Sequence, residues 1–309
     1  MSYAPGGSAG TAPLNPDQRF GPYQIEKALG AGALAVVYRA RMPDGRLVAL
    51  KVLKPEVSSQ GKLRQLFRNE YELTARLRHP GLVEVFDAGE IDGHPYIAMA
   101  LVQGPTLEEY LARHKTLGET ASIKIARQIA LTLDYIHEHG IIHRDLKPAN
   151  ILISNEGRAL LFDFGAALNS KVPPVTKVEG IYGTPAFLAP EQIRDSQAVD
   201  GRADLYSLGV ILYRMVSGRK PFYGSRSDLL EAHLHQPPPP PSEFAYVSPQ
   251  FEALILKALA KDPAQRFQSG AELAKALDEV QLTPPPARTG ISQRILGWLR
   301  GAPEAETTP

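Results

Sequence analysis

Three oxygen-bearing side chains set the terms of this sequence. Asp145 and Asn150 sit in His143-Arg144-Asp145-Leu146-Lys147-Pro148-Ala149-Asn150-Ile151-Leu152, and Asp163 follows in Leu161-Phe162-Asp163-Phe164-Gly165. Moving a phosphoryl group to a hydroxyl needs a carboxylate to take the hydroxyl proton, and hard oxygen ligands for the Mg²⁺ bound to a polyphosphate. These segments supply both kinds of group. Upstream, Val48-Ala49-Leu50-Lys51 ends a β-type run in an ammonium suited to phosphate charge, and the next helical segment offers Glu70 or Glu72 to hold it. Earlier still, Leu29-Gly30-Ala31-Gly32-Ala33-Leu34-Ala35-Val36-Val37-Tyr38 joins two β-type runs through glycines, where backbone can approach a phosphate unobstructed. Taken alone, that turn reads equally well as a plain hairpin and the lysine as a solvated strand residue. A dinucleotide fold is disfavoured because a β-run, not a helix, follows the glycines. The order of the parts is what counts: glycine turn, strand lysine and helix glutamate form a phosphate clamp, and the proton acceptor and metal ligands follow it.

The elements that must position these groups fall into two halves. Short β-type runs dominate from Tyr23 to about Met99: Tyr23 to Leu29, Ala35 to Arg41, Leu47 to Leu53, Val83 to Gly89 and Tyr96 to Val102. Turn pairs such as Asp44-Gly45 and Asp92-Gly93 separate several of them and predict an antiparallel meander. One helix interrupts it, Gly61 to Leu77, with Leu63, Leu66, Phe67, Leu73 and Leu77 near helical spacing. After Gly104 long amphipathic helices take over, among them Ile123 to His139 and Asp204 to Ser217. Residues 1–22, rich in Gly, Pro and Ala without hydrophobic period, predict a flexible tail. Prolines punctuate the rest: Pro173-Pro174, the run Pro237 to Pro241, which reads as a stiff surface loop, and Pro284 to Pro286, which ends the folded part.

With those motifs in place, the sequence resembles the eukaryotic-type (Hanks-type) protein kinase family, and its short loops look like the bacterial Ser/Thr branch. The resemblance runs from about Tyr23 to Val280. It implies an α+β, bilobal protein kinase fold: a β-rich N-lobe with one main helix over 23–102, and a helical C-lobe over 103–282. A Pro-rich linker with a short amphipathic segment would then occupy 283–309. The implied function is transfer of the γ-phosphate of ATP to protein Ser/Thr hydroxyls in a signalling role, with ATP and Mg²⁺ as cofactors and Mn²⁺ as an alternative ion. By the same resemblance Gly30 and Gly32 cover the phosphates, Lys51 contacts them and Glu70 pairs with Lys51. Asp145 is the catalytic base, Lys147 reaches the γ-phosphate, and Asn150 and Asp163 hold the metal. Leu29, Val37, Ala49 and Leu152 enclose the nucleotide, with Met99 as gatekeeper and Ala100 to Val102 as hinge. Lys147 within Leu-Lys-Pro-Ala-Asn is the Ser/Thr form of the loop. Gly183-Thr184-Pro185 and Ala189-Pro190-Glu191 resemble the substrate-positioning segment, Glu191 should pair with Arg266, and Asp204 should brace the catalytic loop.

Two positions depart from the family pattern. Ala35 replaces the third glycine, restricting positive φ and altering loop flexibility and nucleotide affinity. Ala100 replaces an acidic hinge residue. In the family the arginine at Arg144 answers a phosphate on the activation loop, which points to autophosphorylation at Thr176, with Thr184 structural. Two other readings compete: a pseudokinase scaffold that binds nucleotide and partners without catalysis, and a small-molecule kinase of the same broad fold. The intact Lys51, Glu70, Asp145, Asn150 and Asp163 weigh against the first, and Ala189-Pro190-Glu191 with Arg266 weighs against the second.

Composition bounds what remains. Lys plus Arg number 34 against 33 for Asp plus Glu, so no global basic field points to nucleic acid. The absence of cysteine excludes disulfides, thiolate zinc sites and a Cys nucleophile, and is compatible with a cytoplasmic location. No apolar stretch is long enough to span a bilayer. Ile291, Ile295, Trp298 and Leu299 share a helical face beside Arg294 and Arg300. Peripheral membrane contact through 291–300 is therefore one reading of that segment, against a helix docked on the body. The expected partners are protein substrates, an opposing protein phosphatase and a transient homodimer.

Overall fold

The structure, a computed structural model, describes residues 14–32, 34–58, 61–164, 167–169, 183–195 and 199–283. The first half is a six-stranded sheet: β1 (Arg19–Phe20), β2 (Tyr23–Ala31), β3 (Ala35–Arg41), β4 (Leu47–Leu53), β5 (Val85–Ile91) and β6 (His94–Ala100), in the order β1-β2-β3-β4-β6-β5. The expected meander therefore holds only through β4. Two helices, α1 (Pro55–Ser58) and α2 (Gly61–Thr74), follow β4, and β6 rather than β5 pairs with it, which sends β5 to the edge.

Strand alternation divides the sheet cleanly. Tyr38, Ala40, Val48, Leu50, Val52 and Ala98 point outward into a core with Tyr23, Ile25 and Phe20. Ala35, Leu53 and Ile97 point to the other face and pack with Phe67 of α2. Lys51 lies opposite Val37 and Ile97, and Ala49 opposite Met99, so these residues share the face that looks toward α2 and the second half. Residues 14–22 are not a loose tail. Leu14 N–H donates to the Tyr38 hydroxyl at 3.1 Å, β1 pairs with β2, and Phe20 is buried edge-on to Tyr96. Burial of that ring contributes to offsetting the ordering cost, together with the pairing of β1 with β2 and the backbone bonds of Asp17 and Gln18 to Ile25.

The second half is built on α3 (Leu107–His114), α4 (Glu119–Glu138) and the short pairs β7 (Ile141–Ile142) with β10 (Leu168–Asn169) and β8 (Ile151–Ile153) with β9 (Ala159–Leu161). Then come α5 (Pro190–Arg194), α6 (Arg202–Ser217), α7 (Arg226–His235), α8 (Pro249–Ala258) and α9 (Gly270–Asp278). On α4, Ala126, Ile129, Ala130, Leu133 and Ile136 recur at helical spacing and are all buried. Nearly every residue of α6 is buried, making it the central pillar; it ends at Gly218, whose φ of 74° supplies the left-handed cap. The run Pro237 to Pro241 connects α7 to α8 along the surface, as its composition predicts. No helix among the described residues is long and apolar enough to cross a membrane.

Candidate active site

The site forms where the two halves meet. Lys51, on the inner face of β4, donates to both Glu70 oxygens at 2.7 and 2.8 Å and to Asp163 Oδ1 at 2.9 Å. Glu72, the alternative left open by spacing, is exposed on the outer side of α2, whereas Glu70 is buried. Burial works against the Lys51 charge, but Glu70 and Asp163 outweigh it and raise its pKa. Burial likewise acts to raise Asp163, and the Lys51 ammonium overrides it, holding that carboxyl below its ordinary range. Glu70, buried and beside Asp163, is pushed upward despite Lys51. One ammonium thus serves two carboxylates.

The catalytic-loop residues follow β7. Their backbone is pinned by Asp204, at the start of α6, whose carboxylate accepts the His143 and Arg144 N–H groups at 2.9 Å each and His137 Nε2 at 2.8 Å. Burial would raise Asp204, but hydrogen bonding and charge from His137, with further help from His143, keep it low. Arg144 sits at φ 65°, a conformation that persists only when surroundings enforce it, and Asp163 matches it at 65°. Asp145, next along, carries two sets of contacts. Its Oδ1 accepts the Thr184 N–H and hydroxyl, both at 2.9 Å, and its Oδ2 accepts Lys147 Nζ at 2.5 Å. Lys147 also donates to Thr184 Oγ1 at 3.0 Å. Asn150 donates through Nδ2 to the Asp145 carbonyl at 2.9 Å, which leaves its amide oxygen as the acceptor. Phe164 packs against His143 at 4.9 Å between ring centres, fixing Asp163 from behind.

On the nucleotide side, neither Gly30 nor Gly32 has a positive φ, and a Cβ at either would meet nothing closer than Ala35 O at 3.6 Å. The fold does not itself require glycine there, and the absence of side chains leaves this backbone open to the cleft. Val37, Ala49 and Met99 share the inner face of the sheet, and Leu152 lies on β8 of the second half, paired with Leu160. Ala100 N–H is used by the Glu84 carbonyl at 2.8 Å, and its side chain faces no charged partner. Val102, in the link between the halves, makes no backbone hydrogen bond among the described residues. Leu29 is half exposed at the rim.

Asp163 and Asn150 fit a hard divalent ion: one carboxylate and one amide oxygen on opposing segments. No cluster of three His, Cys, Asp or Glu exists among the described residues, so an ion held here takes its other ligands from a polyphosphate and water, the habit of Mg²⁺.

The expected residues therefore converge, with one exception: Thr176 lies outside the described residues. Behind them, Glu191 and Arg266 meet at 2.6 and 2.8 Å, as expected. Two contributors were not anticipated. His137 reaches Asp204 from the last turn of α4, and Gln192 donates from Nε2 to the Arg144 carbonyl at 2.8 Å. Gln192 follows Glu191 in a recognisable motif, but nothing in sequence separates His137 from its neighbour His139.

Comparison with known proteins agrees with this geometry. Residues 23–277 match the protein kinase domain model. The chain is 40% identical over 301 residues to the serine/threonine-protein kinase PknJ of Mycobacterium tuberculosis, covering 92% of this chain and 50% of the relative. It is 39% identical over 269 residues to PknB of Mycolicibacterium smegmatis, covering 84% of this chain and 43% of that protein. The chain thus spans about half the length of the curated relatives it matches. The crystal structure of the Mycobacterium tuberculosis PknI kinase domain superposes with a TM-score of 0.70 at 33% identity, over 86% of this chain and 99% of that one. The chain belongs to the protein kinase domain family, among the Hanks-type bacterial Ser/Thr kinases.

Proposed function

We propose that this chain transfers the γ-phosphate of ATP to Ser or Thr hydroxyls of proteins. The observation that carries this reading is the convergence of Glu70 and Asp163, 19 and 112 residues from Lys51 in sequence, on its one ammonium. Lys51, held by Glu70, offsets charge on the α and β phosphates. Gly30 and Gly32 lie over the phosphates through backbone, while Val37, Ala49, Met99, Ala100, Val102, Leu29 and Leu152 enclose the base and sugar. Asp145 accepts the proton of the attacking hydroxyl; the new O–P bond forms as the bond to the ADP oxygen breaks. Lys147, bonded to Asp145 and Thr184, offsets charge on the transferred group. Asn150 and Asp163 would hold Mg²⁺, which supplies charge neutralisation of the polyphosphate.

Autophosphorylation at Thr176, a cytoplasmic location and opposition by a phosphatase belong to the same reading. Lys147 in its Ser/Thr-type loop supports the choice of hydroxyl, and a cysteine-free sequence supports the compartment. The test is phosphate incorporation from labelled ATP with Mg²⁺ and a generic protein substrate, Asp145→Asn serving as control, with sites placed by mass spectrometry. Incorporation on Ser or Thr that vanishes in the control supports the reading. Nucleotide binding without incorporation would replace it with a scaffold role.

A further inference from the structure

The phosphate loop departs from a three-glycine pattern at its last position, and the fold gives that departure a role. Ala35 opens β3 opposite Leu53, and its carbonyl accepts the Gly32 N–H at 2.9 Å, closing the glycine turn. It is absent from the residues with positive φ, so the restriction that a Cβ places on positive φ is not felt here. Its methyl is instead buried, 6% exposed, in one cluster with Leu53, Phe67 and Ile97, against which Tyr71, Val85, Ala88 and Met99 pack. That cluster touches each wall of the site. Met99 flanks the nucleotide cleft. Phe67 lies on α2 with Glu70, and its ring centre is 5.6 Å from Lys51 Nζ. A glycine at position 35 would preserve the turn and lose the attachment.

We propose that Ala35 is a positioning residue for the nucleotide: its methyl fastens the phosphate loop to the α2 cluster, holding the loop in its strand-like form before ATP arrives. The inference rests on the kinase reading above. Two effects act in the same direction. A Cβ at a position with unstrained φ narrows the loop's alternatives, worth roughly two- to fivefold in population, and one buried methyl adds about fourfold. A loop already in its binding form removes that factor from the apparent dissociation constant. Because the loop contacts phosphates in ground state and transition state alike, the gain belongs in KM and not in kcat.

The experiment compares the parent, Ala35→Gly, Phe67→Leu and the double variant, titrated with a non-hydrolysable ATP analogue and Mg²⁺ by calorimetry, alongside steady-state kinetics. Ala35→Gly is expected to weaken analogue binding about eight- to twentyfold, with KM for ATP rising in parallel and kcat staying within about twofold. With Phe67→Leu in place the Ala35→Gly penalty is expected to shrink toward the roughly two- to fivefold that backbone freedom alone supplies, since the methyl's share acts through the cluster it forms with Phe67. Equal binding by Ala35→Gly and the parent overturns the inference, and so does an undiminished penalty in the Phe67→Leu background or a loss confined to kcat. A parent that binds no nucleotide overturns the kinase reading first and this inference with it.

Discussion

Arg266 is the buried charge whose loss the fold should feel most. Its side chain is 0% exposed, and all its donors are used. Nε donates to Ala260 O at 2.7 Å, Nη1 to Glu191 Oε1 at 2.6 Å and Arg202 O at 3.1 Å, and Nη2 to Glu191 Oε2 at 2.8 Å and Lys261 O at 3.1 Å. A guanidinium has five N–H groups, so none is spare. Glu191→Gln keeps the shape but removes the countercharge and turns an amide N–H₂ toward a cation. Breaking one partner of such a pair costs about 3–5 kcal/mol, a third or more of the roughly 5–15 kcal/mol that holds a domain folded. In urea unfolding that loss should appear as a lower midpoint with unchanged slope, and in heating as a drop of roughly 6–20 °C. Arg266→Met should cost more, since it strands a carboxylate and three carbonyls. The double variant should cost less than the sum by at least ~1 kcal/mol. Raising salt to about 1 M should leave the Glu191→Gln penalty nearly unchanged, because buried pairs escape screening. A Glu191→Gln protein within about 1 kcal/mol of the parent, or strictly additive variants, would refute the argument.

Other consequences are equally open to measurement. Glu70→Gln, which unties Lys51, should lower kcat/KM about 100-fold; unchanged kinetics would show the pair to be ornamental. Thr184→Val removes a donor to Asp145 and an acceptor for Lys147, and should lower kcat roughly tenfold with KM for ATP unaltered; a change in KM alone would contradict it. His233, packed between Tyr206, Phe222 and Lys261, is pushed down from 6.5 to about 4 by burial and then by the Lys261 charge. The folded protein therefore binds fewer protons than the unfolded chain between those values, so stability is full above 6.5 and declines as pH falls toward 4. Acidification from pH 7.5 to 5.5 should remove on the order of 1 kcal/mol through this residue, and His233→Gln should flatten that part of the profile. Phe20→Ala should cost about 3 kcal/mol by leaving a hole beside Tyr96; a loss below about 1 kcal/mol would mean that β1 contributes little.

The chemistry was more legible than the architecture. Asp145, Asn150 and Asp163 stand in short local runs whose order carries meaning, and Lys51 with Glu70 needed only a strand followed by a helix. Strand β5 was read two residues early and its place at the sheet edge was missed, because pairing partners separated by a helix leave no trace in local pattern. Phe20 was misread for a related reason: a single aromatic in a Gly- and Pro-rich stretch has no periodicity, and only the cavity beneath β2 explains it. His137 was invisible because its value lies in reaching Asp204, a residue far along the chain. Conversely, the restriction of positive φ noted for Ala35 follows from residue type, but the backbone at that position does not call for positive φ.

The strap formed by residues 14–22 bears on where one unit of inheritance ends and one unit of folding begins. The match to the protein kinase domain model starts at Tyr23, yet Tyr23 and Tyr96 both donate to Asp87 Oδ2, at 2.6 and 2.8 Å, directly beside the seat of Phe20. A polypeptide begun at the homology boundary would keep every catalytic group and uncover the β2 edge together with a greasy notch. Such an edge invites pairing with another chain. The segment that the domain boundary leaves out would then decide whether the enzyme stays monodisperse in the test tube, a property not governed by its active site.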